Sequence, residues 1–227
     1  MQLAFSTMYG NVLRRARQTA SGWALETVKD YLNKAQGVIW RLAKEWKGLE
    51  KQSTSSCVVG QANYAKPSDF ERPIHVQLES GSNYYELNEL SYDTIRDALN
   101  SYSGNSRPTA YCIHYDQIYF DRTPDDTYTI RMDYIYQPSN MSDDSDTTPF
   151  PEHLLEEYAY SFLMRDLGHD QKFQTAFQNF KMMLEEYAES DGRGEGLEGF
   201  YDGLDTIWSY WSTANMLGGR TRKWHQG

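Results

Sequence analysis

Gly194-Glu-Gly-Leu-Glu-Gly199 matches G-x-G-x-x-G, the pattern in which glycines let a backbone approach a dinucleotide pyrophosphate. That chemistry needs the glycines between a strand and a helix, so that the helix N-terminus meets the phosphate. Here the run follows a helical pattern and carries two glutamates that would repel phosphate, so it reads as a linker. Asp143, Asp144 and Asp146 suggest a cation loop, but a calcium loop needs a central Gly and a late bidentate Glu; here the Gly is missing and prolines intervene. A solvated acidic linker beside a helix N-terminus is the better account. Asp121, Asp125 and Asp126 read as turn chemistry. None of His75, His114, His153, His169 and His225 stands at ligand spacing from another His or a Cys. No Ser lies in a Gly-x-Ser-x-Gly turn, and there is no Gly-Lys-Ser/Thr phosphate loop. A triad assembled in space stays open as a third-ranked reading, a hydrolase with scattered residues.

Cys57 and Cys112 are the only cysteines, too few for a disulfide framework or a zinc site, and they read as buried free thiols. The 227 residues carry 32 Asp+Glu against 22 Lys+Arg, a net charge of -10. Such a chain does not wrap a phosphate backbone, which needs clustered Lys and Arg. Arg14, Arg15 and Arg17 form a small basic patch that reads as a solubilising or interface face. Mean hydropathy is -0.75, yet aromatics make up 15% of residues, with 18 Tyr and 6 Trp. Tyr and Trp bury area while keeping a polar handle, so they suit protein–protein surfaces and half-buried strands. The start, Met1 to Phe5, lacks the basic and apolar regions of a signal peptide, and no apolar run approaches a membrane span.

These residues need elements to hold them. Residues 7–18 read as a short helix. Ser21 caps a second from about Trp23 to Trp46, with Trp23, Val28, Leu32, Ala35, Ile39, Leu42 and Trp46 at helical spacing, ended by Gly48 and the polar run Gln52–Ser56. Strands are expected at Cys57–Val59, Ile74–Leu78 and Tyr84–Leu87, with Gly81–Asn83 as a turn. Ser91 caps a short helix. Residues 111–136 read as three antiparallel strands joined by tight turns, with Tyr111, Ile113 and Tyr115 on one face. Pro149 and Pro151 precede a third long helix with an apolar stripe from Leu154 to Leu163. Gly168 separates it from a fourth, and the two form an antiparallel hairpin closed by Gly192.

The expected fold class is α+β: a helical bundle with a small antiparallel β-rich insertion and a C-terminal extension. The expected parts are 1–50 as N-terminal helices of the bundle, 51–140 as the insertion, 141–192 as the C-terminal helical hairpin, and 193–227 as a linker and Trp-rich tail. Trp208, Trp211, Met216, Leu217, Arg220, Arg222, Lys223 and Trp224 lie beyond the glycine linker. Trp and Arg are the residues most often found as binding hot spots, so this tail is the candidate partner-binding site. Folding back onto its own subunit is the competing reading.

The order of these patterns resembles the head-to-tail connector (adaptor) proteins of tailed bacteriophages. The resemblance runs over roughly residues 7 to 190. It rests on Val28–Trp40 with Glu45–Leu49, on Tyr64-Ala-Lys-Pro-Ser-Asp-Phe70, on Pro108–Ile113 with Asp116–Phe120, on Pro124 with Tyr128–Tyr134, and on the acidic linker with the helix beyond it. It implies a non-enzymatic structural protein of the virion neck, assembled in the host cytoplasm, without a cofactor and without a membrane. It implies a homo-oligomeric ring, commonly of twelve copies, that joins the portal protein to a downstream tail or nozzle protein. DNA would pass through the ring without specific binding. The alternative is a non-catalytic β-rich module that stacks a sugar or peptide on exposed tyrosines such as Tyr84, Tyr85, Tyr119 and Tyr136.

Overall fold

A computed structural model describes residues 2–20, 22–42 and 47–190. The chain divides into two compact units, one drawn from residues up to 43 and from 141 onward, the other spanning Lys44–Asn140.

The first unit is helical. It holds α1 (Phe5–Ala16), α2 (Trp23–Leu42), α4 (Glu152–Asp166) and α5 (Asp170–Ser190). The helix expected over 7–18 begins two residues earlier. Leu42 is the last described residue of α2; Ser21, expected as its cap, and residues 43–46 lie outside the described residues. Helix α4 packs against α1, α2 and α5. Its apolar stripe is buried as expected, but so are Glu157, Ser161 and Met164, because three neighbouring helices leave it little free surface. Tyr158, Phe162, Phe177 and Phe180 interlock through ring contacts 4.5–6.0 Å apart. Fully buried side chains such as Phe177 and Phe180 each contribute about 2 kcal/mol through area removed from water. Gly168 (φ 75) ends α4 in the left-handed region, its N–H bonding the Arg165 carbonyl and that of His169 the Met164 carbonyl, and α5 folds back.

The second unit is a two-sheet sandwich. Strands β1 (Glu50–Ser56), β8 (Thr129–Tyr136), β3 (Phe70–Ser80) and β4 (Asn83–Glu86) form one sheet in that order. Strands β2 (Asn63–Ala65), β7 (Gln117–Phe120), β6 (Ala110–His114) and β5 (Asn88–Glu89) form the other, with β5 parallel to β6 and every other pair in both sheets antiparallel. Val76, Leu78, Ile130 and Met132 from the first sheet share a core with Tyr64, Tyr111, Ile118 and Phe120 from the second. Helix α3 (Tyr92–Ser101), capped by the Ser91 hydroxyl as expected, covers the far face of the second sheet through Ile95 against Ala110 and Cys112.

Three expectations are corrected. Residues 111–136 do not form one three-stranded meander: β6 and β7 pair, but β8 crosses to the other sheet and lies between β1 and β3. Both stretches alternate and both bury one face, so the pattern alone does not say which neighbours they choose. Cys57–Val59 is not a strand; Val58 and Val59 are exposed, and the strand is the polar run before it. That run has no apolar alternation because β1 overhangs the sandwich and buries neither face; its pairing with β8 alone makes it a strand. Tyr115 does not join Tyr111 and Ile113 on a strand face. It is 84% exposed at the β6–β7 turn with φ 52, a conformation a non-glycine residue adopts at a cost.

Candidate partner-binding surfaces

The tail residues expected to bind a partner, Trp208, Trp211, Met216, Leu217, Arg220, Arg222, Lys223 and Trp224, lie outside the described residues, as do the Gly194–Gly199 run, Gly192 and His225.

The acidic linker is a structural device. The first-turn N–H groups of a helix have no partner within it. In α1 the first two are met by this linker, far away in sequence. The Phe5 N–H bonds the Asp146 carbonyl at 2.7 Å and the Ser6 N–H bonds the Asp144 carbonyl at 3.0 Å. The Tyr9 hydroxyl bonds the Asp144 carboxylate at 3.0 Å. The Asp146 carboxylate in turn accepts the N–H groups of Ser142 and Asp143 at 2.7 and 2.8 Å, which holds it below the usual carboxylate range. The linker does sit at a helix N-terminus, but that of α1, and it acts largely through its carbonyls.

The basic patch on α1 separates. Arg14 and Arg17 are exposed, and Arg17 ends the helix in the left-handed region. Arg15 turns inward. Both its terminal nitrogens reach the buried Glu157 carboxylate, and its guanidinium lies 3.9 Å above the Tyr160 ring. The hydrogen bonds to Glu157 push the Arg15 pKa up, against the opposing effect of burial. A shallow groove of about 270 Å³ beside this pair is lined by Lys172, Thr175 and Asn179 of α5.

The tyrosines proposed as a stacking platform do not share one. Tyr84 is 60% exposed, while its neighbour Tyr85 points to the other side of β4 and is covered by the Arg107 guanidinium at 4.0 Å. Tyr136 is covered by the Lys51 ammonium at 3.8 Å. Tyr119 belongs to the second sheet and packs against Tyr92 and His114.

Cys57 and Cys112 are free, buried, and in separate clusters of the sandwich, and burial pushes both thiols up. Of the three turn aspartates, Asp125 and Asp126 act locally, on the Tyr128 hydroxyl and the Thr127 N–H. Asp121 does more: it is buried and accepts the N–H groups of Thr109 and Ala110 and the Thr109 hydroxyl at 2.8–3.0 Å, fixing the start of β6. Among the described residues no group of three or more His, Cys, Asp or Glu side chains is placed to hold a metal ion. Among them, too, no helix is long and apolar enough to cross a membrane.

On the β unit the exposed surfaces include edges and tips. The first sheet exposes β1 on both faces and β4 on one, with Tyr84 standing out from it; the second sheet exposes the Tyr115 tip. The polar run Gln52–Ser56 reads in the sequence as the end of a helix, so Gln52, Thr54 and Ser56 are not legible as a strand edge; the one signal is a seven-residue run of polar residues free of Gly and Pro.

The family model for the SU10 adaptor protein matches residues 6–197. No curated protein matches the chain. The match spans both units, and the chain belongs to the SU10 adaptor protein family, a structural class of phage adaptors.

Proposed function

We propose that this member of the SU10 adaptor protein family is a virion protein of the phage neck, forming an oligomeric ring that joins the portal to the tail and lines the DNA exit channel. The family match over residues 6–197 carries the reading. The net charge of -10 agrees with it, because an acidic lumen lets DNA slide without sticking. So does the way charged groups are used: Arg15, Glu157, Asp121, Asp144 and Asp146 all hold backbone or neighbouring helices in place. In this reading the segment with Trp208, Trp211 and Trp224, together with Arg220, Arg222 and Lys223, docks on the portal. One such contact per subunit is small, and repetition around a ring makes it firm.

The test is decoration of DNA-filled, portal-bearing heads by purified protein, imaged by electron microscopy. The full chain is expected to form a ring at the portal vertex, and the chain lacking residues 195–227 is expected to stay folded and to leave the vertex bare. A truncated chain that still decorates heads refutes the tail's role. A full chain that never decorates them refutes the neck assignment.

A further inference from the structure

We infer that copies of this chain join edge to edge through the β1 strand of one and the β4 strand of the next, continuing one sheet from subunit to subunit. The inference rests on the ring reading above and deepens it by naming the contact.

Strand β1 is unusual for an edge. Its seven residues pair with β8 in unbroken register, without a bulge and without Pro, and six of the seven are exposed. Edge strands are ordinarily kept short, bulged, or guarded by charge so that they do not recruit another chain. The second sheet follows that rule, with edges of three and two residues. Strand β1 does not, and its long side chains lean away from the free edge. Lys51 reaches over Tyr136 to the Asp69 carboxylate at 2.7 Å, and Gln52 bonds Asp133 on β8 at 2.6 Å. What remains along the edge is Ser and Thr, with Glu50 at one end.

The backbone can be assigned residue by residue. The Cys57 N–H bonds the Tyr128 carbonyl at 2.7 Å, continuing the β1–β8 register. Antiparallel pairs alternate, so Ser55, Ser53 and Lys51 also bond β8, while Ser56, Thr54 and Gln52 direct their N–H and C=O groups outward. At the opposite end of the sheet the Leu87 N–H bonds the Val76 carbonyl at 3.0 Å, so Tyr85 and Asn83 bond β3 while Tyr84 and Glu86 direct theirs outward. No described strand pairs with either outer edge.

A second copy is the occupant that fits. The order β1-β8-β3-β4 is antiparallel throughout, so β4 of one copy and β1 of the next run antiparallel when the sheet is continued. Glu86 then meets only neutral Gln52, Thr54 or Ser56, and the exposed Tyr84 ring gains a small or β-branched neighbour, a favourable cross-strand pairing. Using two different edges makes the contact heterologous, the kind that repeats and closes into a ring.

The experiment blocks each edge at an outward N–H, where Pro removes a donor without removing a bond inside the sheet. Thr54→Pro leaves only β4 open, and Tyr84→Pro leaves only β1 open. By light scattering after size exclusion, wild type at high concentration is expected to form the ring, each variant alone to be monomeric, and an equimolar mixture to give a 1:1 dimer and nothing larger. A second reading needs no variant: hydrogen exchange of wild type at high against low concentration. The amides of Gln52, Thr54, Ser56, Tyr84 and Glu86 are expected to gain protection on assembly, while those of Ser53 and Ser55 are protected throughout. Rings formed by either variant, a dimer of Tyr84→Pro alone, or outward amides that gain no protection in a wild-type ring would each overturn the edge pairing and leave the ring reading intact. A wild-type chain that is monomeric at every concentration and on portal-bearing heads overturns both.

Discussion

Arg15 on α1 and Glu157 on α4, 142 residues apart, meet as a two-pronged ion pair with the carboxylate buried and the guanidinium half exposed. The whole β unit lies between them in sequence. The pair ties the first helix of the bundle to the segment that returns after the insertion, with Asn179 of α5 bonding the same carboxylate at 3.4 Å.

Arg15→Ala strands a carboxylate whose remaining partner among the described residues is Asn179. Breaking a fully buried pair costs about 3–5 kcal/mol, and exposure of Arg15 lowers this to about 2 kcal/mol. Arg15→Ala combined with Glu157→Met removes the charge along with its partner and is expected to recover most of the loss. Urea unfolding of the single and double variants measures both, and a double variant no more stable than the single one would show that packing by the Arg15 stem, over Tyr160, is what matters.

Asp146→Ala releases the Ser142 and Asp143 N–H groups and loosens the turn whose carbonyls receive the Phe5 and Ser6 N–H groups. The expected result is faster hydrogen exchange in the first turn of α1, with the last turn of α4 unchanged. Because hydrogen bonds from the backbone hold the Asp146 carboxyl below its ordinary value of 3.8, this contribution is complete above that pH and is lost as the pH falls further below it. Acidification of the wild type should therefore reproduce the exchange pattern of the variant.

Most of the bundle could be read from the sequence because its signal is periodic. Leu154, Leu155, Tyr158, Phe162 and Leu163 repeat at helical spacing and are buried as a stripe must be. Strands β6, β7 and β8 were legible for the same reason at a period of two. Partner choice was not. Nothing in Thr129–Tyr136 says that it leaves β7 for β3, because a strand's alternation records which face is buried and carries no record of its neighbours. Strand β1 was illegible because it buries neither face and so carries no hydrophobic alternation. The role of Asp144 and Asp146 was hidden because it works through carbonyls that every residue has; the acidic side chains drew attention to the right segment for a different reason.

Asp121→Ala tests the buried carboxylate that starts β6. It leaves the Thr109 and Ala110 N–H groups without their acceptor. The Ala110 donor is buried, and leaving it unsatisfied costs about 1–3 kcal/mol, whereas Thr109 is exposed and its N–H can turn to water, so the expected loss is about 2 kcal/mol. Asp121→Asn keeps one acceptor oxygen and should lose about half as much. Thermal unfolding followed by tyrosine fluorescence reads the difference, since Tyr111 and Tyr119 lie on the strands that Asp121 joins.

Alkaline titration should expose the β core as a unit. Tyr64, Tyr111, Tyr128 and Tyr134 are pushed from 10.0 up to about 12, in each case chiefly by burial, with the Asp125 carboxylate adding to the effect at Tyr128 and that of Asp69 at Tyr134. The folded state thus holds these protons more tightly than the unfolded chain does. Their contribution to stability is complete below pH 10 and is lost as the pH rises through 12. Tyrosinate absorbance from these four is therefore expected only as the pH approaches 12, alongside that of Tyr31 and Tyr158 in the helical unit, and in step with loss of strand circular dichroism. At the acid end the sign reverses. Burial pushes the Asp69 carboxyl up, but the hydrogen bonds from Lys51 and Tyr134 outweigh it and hold the group below 3.8. Its contribution is present above that value and lost as the pH drops further. Lys51→Met should abolish most of the acid dependence that Asp69 contributes while leaving the late alkaline rise in place. Coincident loss of both would mean that the Lys51–Asp69 bridge holds the core together and does more than tie down one strand.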